Sequence, residues 1–441
     1  MTRYDTLIKN GTILNASNSF KGDVAVQGET IAGVGDIKGE AATVIDAKGC
    51  FVMPGGVDVH THLDMPLGDI TTADDFAAGT LAAALGGTTT IVDYAAQTKG
   101  QSLLKGLEEW HKKADGKAVT DYGFHMTLAE FTDGTGPEMD RLVQEGVTTF
   151  KVFMAYPGRF MLGDGDIFRV MLRAKENGGM ALVHAENGPV IDELVRRALA
   201  EGNTKPKHHA LTRPMEAEAE AVHRALALGA MAKAPVYIVH LSAALSLEHV
   251  RRAREAGQNA FAETCPQYLF LSDEAYDGPD AEAFIMSPPL RPRGNERKLW
   301  EGLKKGWIQT VATDHCSFTL EQKKGKPDFT KIPGGVAGVG ARVPLLWDAA
   351  ARGKLTRNRF VDLVSTTPAK LFGLYPRKGI ISRGSDADLV IIDPKKKQVL
   401  SGRPYGGREL RGAVKEVLIR GRRVLVPNPP KGVFLKRQPN L

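Results

Sequence analysis

The chain has 441 residues, 42% of them hydrophobic and 25% charged, the balance of a soluble globular protein with room for one large domain and a smaller one. Its net charge of +7 comes from Lys and Arg scattered over helical stretches and the C-terminal tail, without the aromatic-spaced basic stripe of a nucleic-acid binder. Three sparse cysteines make no disulfide framework, no apolar run reaches membrane-spanning length, and the opening MTRYDTLIKNG lacks the apolar core of a secretory signal, so a reduced cytoplasm is the expected compartment.

Residues 5–13, 23–26, 30–34, 43–45 and 50–53 read as short strands separated by turn residues, with an Asn10-Gly11 turn signal inside the first. This makes 1–53 a small β module. From 54 to 375 buried apolar runs alternate with amphipathic ones. Strands are predicted at 88–93, 122–128, 148–154, 180–184, 236–241, 260–263 and 310–313. Helices are predicted at 77–85, 138–145, 167–177, 190–201, 216–228, 245–256 and 295–305. About eight such strands fit a closed α/β barrel of the (β/α)8 TIM type better than an open sheet. No strand leads into Gly-x-Gly-x-x-Gly, which argues against a dinucleotide site. Over 376–441 the texture returns to β, with strands at 388–393, 414–419 and 423–426. The two chain ends are expected to pair beside the barrel. Residues 428–441 carry Pro, Lys and Arg without periodicity and read as an arm, either extended or loose.

The stretch Val57-Asp58-Val59-His60-Thr61-His62 carries the first chemistry. In a strand, residues two apart share a face, so His60 and His62 aim together, as a metal such as zinc requires. An incidental loop pair is the bland alternative. His184 and His240 each end a buried strand, on the face where barrels place their active sites. One such histidine is ordinarily structural, whereas four in equivalent places point to metal. Asp314 follows strand 310–313 and suits both metal ligation and proton transfer, with a helix N-cap as the alternative. His315 has the opposite parity and is expected behind the ligands. Lys151 lies inside the apolar strand Phe150-Lys151-Val152-Phe153. A buried ammonium there is costly and has no lone pair for a metal. Two readings stay open: a carbamate formed with carbon dioxide, which would bridge two cations, or a lysine that snorkels outward. Leu63, Met65, Tyr94, Phe153 and Phe160 stand at or just past strand ends, as pocket walls or as ordinary packing.

Together these residues, with MPGGVDVHTHLDMP, GGTTTIVDYA, FKVFMAY, HAENG, ETCPQYL, MSPPLRP, ATDHCSF and SRGSDADLVIID, resemble the cyclic amidohydrolases of the dihydropyrimidinase and D-hydantoinase group across nearly the whole chain. The resemblance implies a distorted (β/α)8 barrel flanked by a β-sandwich built from both chain ends, a homotetramer, and two zinc ions. One metal would be held by His60, His62, Asp314 and an N6-carboxylysine at Lys151. The other would be held by that carbamate, His184 and His240, with a hydroxide between them. It further implies that Tyr156 stabilises the oxyanion, that Ser287 and Gly334 hold the cyclic ureide through their main chains, and that Asp314 shuttles the proton. The product would be an N-carbamoyl amino acid.

Two departures stand out. Gly334 replaces the Asn of an Ile-Pro-Asn-Gly run, and Gly340-Ala341 replaces an acidic pair before Arg342. Allantoinase and dihydroorotase share the metal set, but dihydroorotases carry an Arg where this chain has Asp64, which favours neutral rings here. A non-catalytic scaffold of the collapsin response mediator type would lack the complete ligand set present in this chain.

Overall fold

The computed structural model describes residues 3–439. Strands β1 (Arg3–Leu14), β2 (Ser19–Gln27), β3 (Thr30–Gly35), β4 (Glu40–Asp46) and β5 (Phe51–Pro54) open the chain. After β6 (Gly56–Thr61) comes a small hairpin of β7 (Pro66–Leu67) and β8 (Ile70–Thr71). Then follow β9 (Thr88–Ala96), β10 (Asp121–Thr127), β11 (Thr149–Phe153), β12 (Met180–His184), β13 (Val236–Ile238), β14 (Ala260–Thr264) and β15 (Thr310–Val311). The last strands are β16 (Leu389–Val399), β17 (Glu409–Ile419) and β18 (Arg422–Arg423).

Strands β6 and β9 to β15 form one parallel sheet of eight, with helices such as Phe76–Leu85, Asp164–Glu176 and Met215–Ala232 between them in the chain. The sheet curls into a barrel because its ends meet: Thr61 bridges His315, and the His62 N–H donates to the His315 carbonyl at 2.7 Å. Strands buried on both faces need apolar residues on both. Val57, Val92, Leu182, Tyr237 and Val239 fill one core cluster, while Ile91, Val152, Val183 and Ile238 belong to the larger cluster that includes the helices. Helices Leu103–Ala114 and Arg342–Ala351 belong to the same alternation and were not among those predicted.

The second sheet unites the chain ends, as expected. Its order is β18-β17-β16-β5-β1-β2-β3, with β4 on β1, and the junction is the antiparallel pair β5–β16. Ile8, Val24, Ile45, Val52, Leu389 and Leu418 share its core. Asn10-Gly11 does not turn the chain. It forms a bulge within β1, where Asn10 takes φ 62° and the register to β2 shifts. Glycine is required at 11 by contact, since a Cβ there would come within 2.7 Å of Val52 Cγ2.

The C-terminal arm is docked. Leu435 N–H donates to the Tyr122 carbonyl at 2.7 Å, and Arg437, 2% exposed, donates to the Phe124 carbonyl and to Thr149 Oγ1. Lys378 joins the barrel to the second sheet from inside. Its Nζ lies 2.6 Å from Asp121, 3.0 Å from Asp386 and 2.8 Å from Asp388. That acidic cluster therefore already holds a cation of the chain's own.

Candidate metal centre

Two predicted strands stop short of the predicted ends, and the reason is functional geometry. The ladder of β13 ends at Ile238, and His240 turns to φ 37°. That of β15 ends at Val311, and Asp314 turns to φ 52°. Tyr156 follows β11 with φ 65°. Left-handed backbone at non-glycine residues is strained, and three cases sit together at the C-terminal mouth of the barrel.

There the six candidate ligands converge. The ligand atoms of His60, His62 and Asp314 all lie within 4.8 Å of one another. Asp314 Oδ1 is 3.1 Å from His60 Nε2 and 3.3 Å from His62 Nε2. The rings of His184 and His240 are 4.6 Å apart, and that of His240 is 5.4 Å from His60. Lys151 is 1% exposed. Among the described residues its Nζ has no hydrogen bond or ion pair and rests 4.6 Å from the Tyr94 ring and 5.1 Å from the Phe153 ring.

Electrostatics follow from burial. Burial lowers His62 to about 4 and also depresses His184 and His240, so these imidazoles are neutral, as metal ligands must be. Burial lowers Lys151 to about 8, against the pull of Asp314 and Glu263. Burial alone would raise Asp314, but the adjacent imidazoles, His60 foremost and His62 with it, hold it well below the carboxylate range. Three buried ring nitrogens of the candidate ligands, His60 Nε2, His62 Nδ1 and His240 Nδ1, have no hydrogen-bond partner. Partnerless buried nitrogens, a bare lysine and a carboxylate poised between imidazoles suit a divalent metal pair.

Residues behind the ligands were not assigned roles from the sequence. Glu263 accepts from the His240 backbone N–H at 3.0 Å and pairs with His60 Nδ1, while its other oxygen accepts from Tyr237 Oη at 2.8 Å. Glu186 stands 2.8 Å from His184 Nε2 and 3.1 Å from Arg213. Asp93 accepts from Thr61 Oγ1 at 2.7 Å and from the Leu63 N–H at 2.9 Å, fixing the strand end that carries His62. His315 is second to the ligands, as expected, with its Nδ1 accepting from the Gly338 N–H at 3.0 Å. Glu263 and Glu186 sit inside the motifs ETCPQYL and HAENG, the one sequence signal for them.

A cavity of about 550 Å³ opens above the cluster, with Met65, Phe153, Tyr156, Phe160, Ser287 and Gly334 on its walls. Burial raises the phenol pKa of Tyr156, and Ser287 Oγ lies 3.3 Å from His209 Nε2. Two expected wall residues are elsewhere. Leu63 turns into the core against Gly79, and Tyr94 lies beneath the imidazoles of His60 and His62, with ring distances of 4.6 and 5.0 Å. Asp64 is also absent from the lining, and its carbonyl accepts from Lys113. At Gly334 the nearest atom to an added Cβ is Met286 Cα at 3.9 Å, so the missing side chain leaves open space. Gly340, by contrast, is pressed on the helix end at Gly86, where a Cβ would meet the Gly340 carbonyl at 2.3 Å.

Comparison with known proteins bears on family and fold. A profile of the amidohydrolase family matches residues 51–424. The chain is 46% identical to a D-hydantoinase of Geobacillus stearothermophilus, over 98% of this chain and 96% of that one. It is 47% identical to a D-hydantoinase of Streptomyces coelicolor, over 95% and 94%. The crystal structure of a dihydropyrimidinase from Brevibacillus agri superposes with a TM-score of 0.97 at 45% identity, covering 99% of both chains.

Proposed function

Because the chain belongs to the amidohydrolase family, we propose that it hydrolyses the cyclic amide of hydantoins and dihydropyrimidines to N-carbamoyl amino acids. It is a metal-dependent cyclic amidohydrolase. The observation that carries the reading is the convergence of four histidines, Lys151 and Asp314 on one cavity floor. We assign His60, His62, Asp314 and a carbamylated Lys151 to one zinc ion, and that carbamate, His184 and His240 to a second. The carbamate reading resolves the bare lysine: an anion on a long stem belongs among imidazoles and cations, whereas an ammonium does not.

When bound, the metal pair lowers the pKa of water toward neutrality and polarises the amide carbonyl. The residues do the rest. Water attacks the ring carbonyl carbon, the ring C–N bond breaks, and Asp314 carries the proton from the water to the leaving nitrogen. The Tyr156 hydroxyl donates to the oxyanion as charge develops there. Ser287 and Gly334 hold the ring amide by their main chains. Phe153, Phe160 and Met65 surround the exocyclic group. We take the D-enantiomer as preferred, 54–375 as the catalytic unit, and a homotetramer as the assembly.

Zinc-loaded protein should turn over 5-substituted hydantoins and dihydrouracil, with chiral chromatography of the product reporting the enantiomer. Turnover confined to allantoin or dihydroorotate would overturn the substrate assignment. Sedimentation of the loaded enzyme tests the tetramer.

A further inference from the structure

We propose that the cavity selects cyclic amides whose exocyclic group is an apolar spacer ending in an anion, such as a carboxylate. The inference rests on the reading above and names its substrate class.

The cavity changes character from floor to mouth. Its wall beside the metal ligands is aromatic, formed by Phe153 and Phe160. Its exposed lining carries Arg159, Lys326 and Lys331. None of these three has an ion pair or a hydrogen bond to a carboxylate among the described residues. Elsewhere on the surface, Arg196, Arg224 and Arg251 each hold a glutamate within 3 Å. Arg213, which also lines the cavity, is taken by Glu186. The exposed lining offers one carboxylate, Asp192, against the three free cations. Wall and rim adjoin directly, since the Arg159 guanidinium lies 5.4 Å from the Phe160 ring centre.

A substrate with its ring on the metal floor would lay an aromatic or alkyl spacer along Phe160 and present its far end to the cations. The Asp64 objection to anions does not apply, because that residue is off the cavity wall. A carboxylate fixed directly on the ring stays at the floor and gains nothing from the rim. Contacts in water are individually weak, but a cleft of one sign concentrates the opposite charge. The rim lies away from the reacting amide, so it binds ground state and transition state alike and acts on KM rather than kcat.

The test compares 5-(4-carboxybenzyl)hydantoin with its neutral 4-carboxamide and with 5-benzylhydantoin, on the zinc-loaded full chain. The carboxylate should show a KM about tenfold below the carboxamide at low salt, with the gap narrowing in salt as screening grows. In the combined variant R159Q/K326Q/K331Q the ratio of the two KM values should approach one. Equal KM values in the wild type, or a preference that survives the variant, would overturn the inference. Failure to hydrolyse even 5-benzylhydantoin would instead remove the cyclic-amidase reading on which it rests.

Discussion

Glu263 and His60 are 203 residues apart in the chain, yet the glutamate carboxylate faces the imidazole Nδ1 in the floor of the barrel. The same oxygen accepts the backbone N–H of His240. One side chain thus sets the orientation of a ligand assigned to one metal and anchors the strained backbone of a ligand assigned to the other.

Replacing this carboxylate by an amide keeps its shape and removes its charge. Glu263→Gln should lower zinc affinity about 10- to 100-fold, as loss of such supporting partners does elsewhere. Competition with a chromophoric chelator measures this, and circular dichroism checks that the fold persists. Unchanged affinity would reduce Glu263 to a packing role.

Lys151→Ala removes the proposed bridging anion. The variant should lose zinc and activity together and regain part of both when acetate or propionate is supplied. Full activity without a carboxylic acid would refute the carbamate. Mass spectrometry under carbon dioxide gives a reading independent of turnover.

Asp314→Asn keeps the volume but cannot accept the proton. The expected loss in kcat is about 10²- to 10⁴-fold, the range for removal of an acid–base group. Zinc content must be measured alongside, because the same residue is assigned as a ligand. Near-normal kcat in zinc-replete protein would take the proton-carrying role from Asp314.

Lys323 gives a prediction about stability. It is 2% exposed, and its Nζ donates to the Ile285 carbonyl at 2.9 Å, with no carboxylate partner among the described residues. Burial lowers its pKa from 10.5 to about 7. Between those values the unfolded chain binds a proton that the folded chain does not, so stability should rise with pH across this window. The slope is at most about 1.4 kcal/mol per pH unit. Chemical denaturation of wild type and Lys323→Met from pH 7 to pH 10 should show this slope in the wild type only. Parallel curves would show that the lysine keeps its proton on folding.

Local pattern carried much of this protein. Alternating buried strands and helices specified the barrel, because each element must bury its own apolar face. The two-residue spacing of His60 and His62, at and just past the end of β6, brought their rings within 5.2 Å of each other. Motif resemblance added Tyr156, Ser287 and Gly334, which the fold brings to one cavity.

Other features needed the folded chain. Leu63 directly follows His62, and Tyr94 lies in the buried strand β9, but packing sent them to the core and beneath the ligands. Asn10-Gly11 has the composition of a turn but forms a bulge within β1, which continues along its partner strand β2. The arm at 428–441 has no period, so nothing local could show Arg437 entering the barrel between Phe124 and Thr149. The carboxylates behind the ligands and the free cations at the rim are likewise matters of which distant segments meet. Periodicity reports how a segment meets its own core, whereas a site made by several strand ends exists only once barrel closure brings them within a few ångströms.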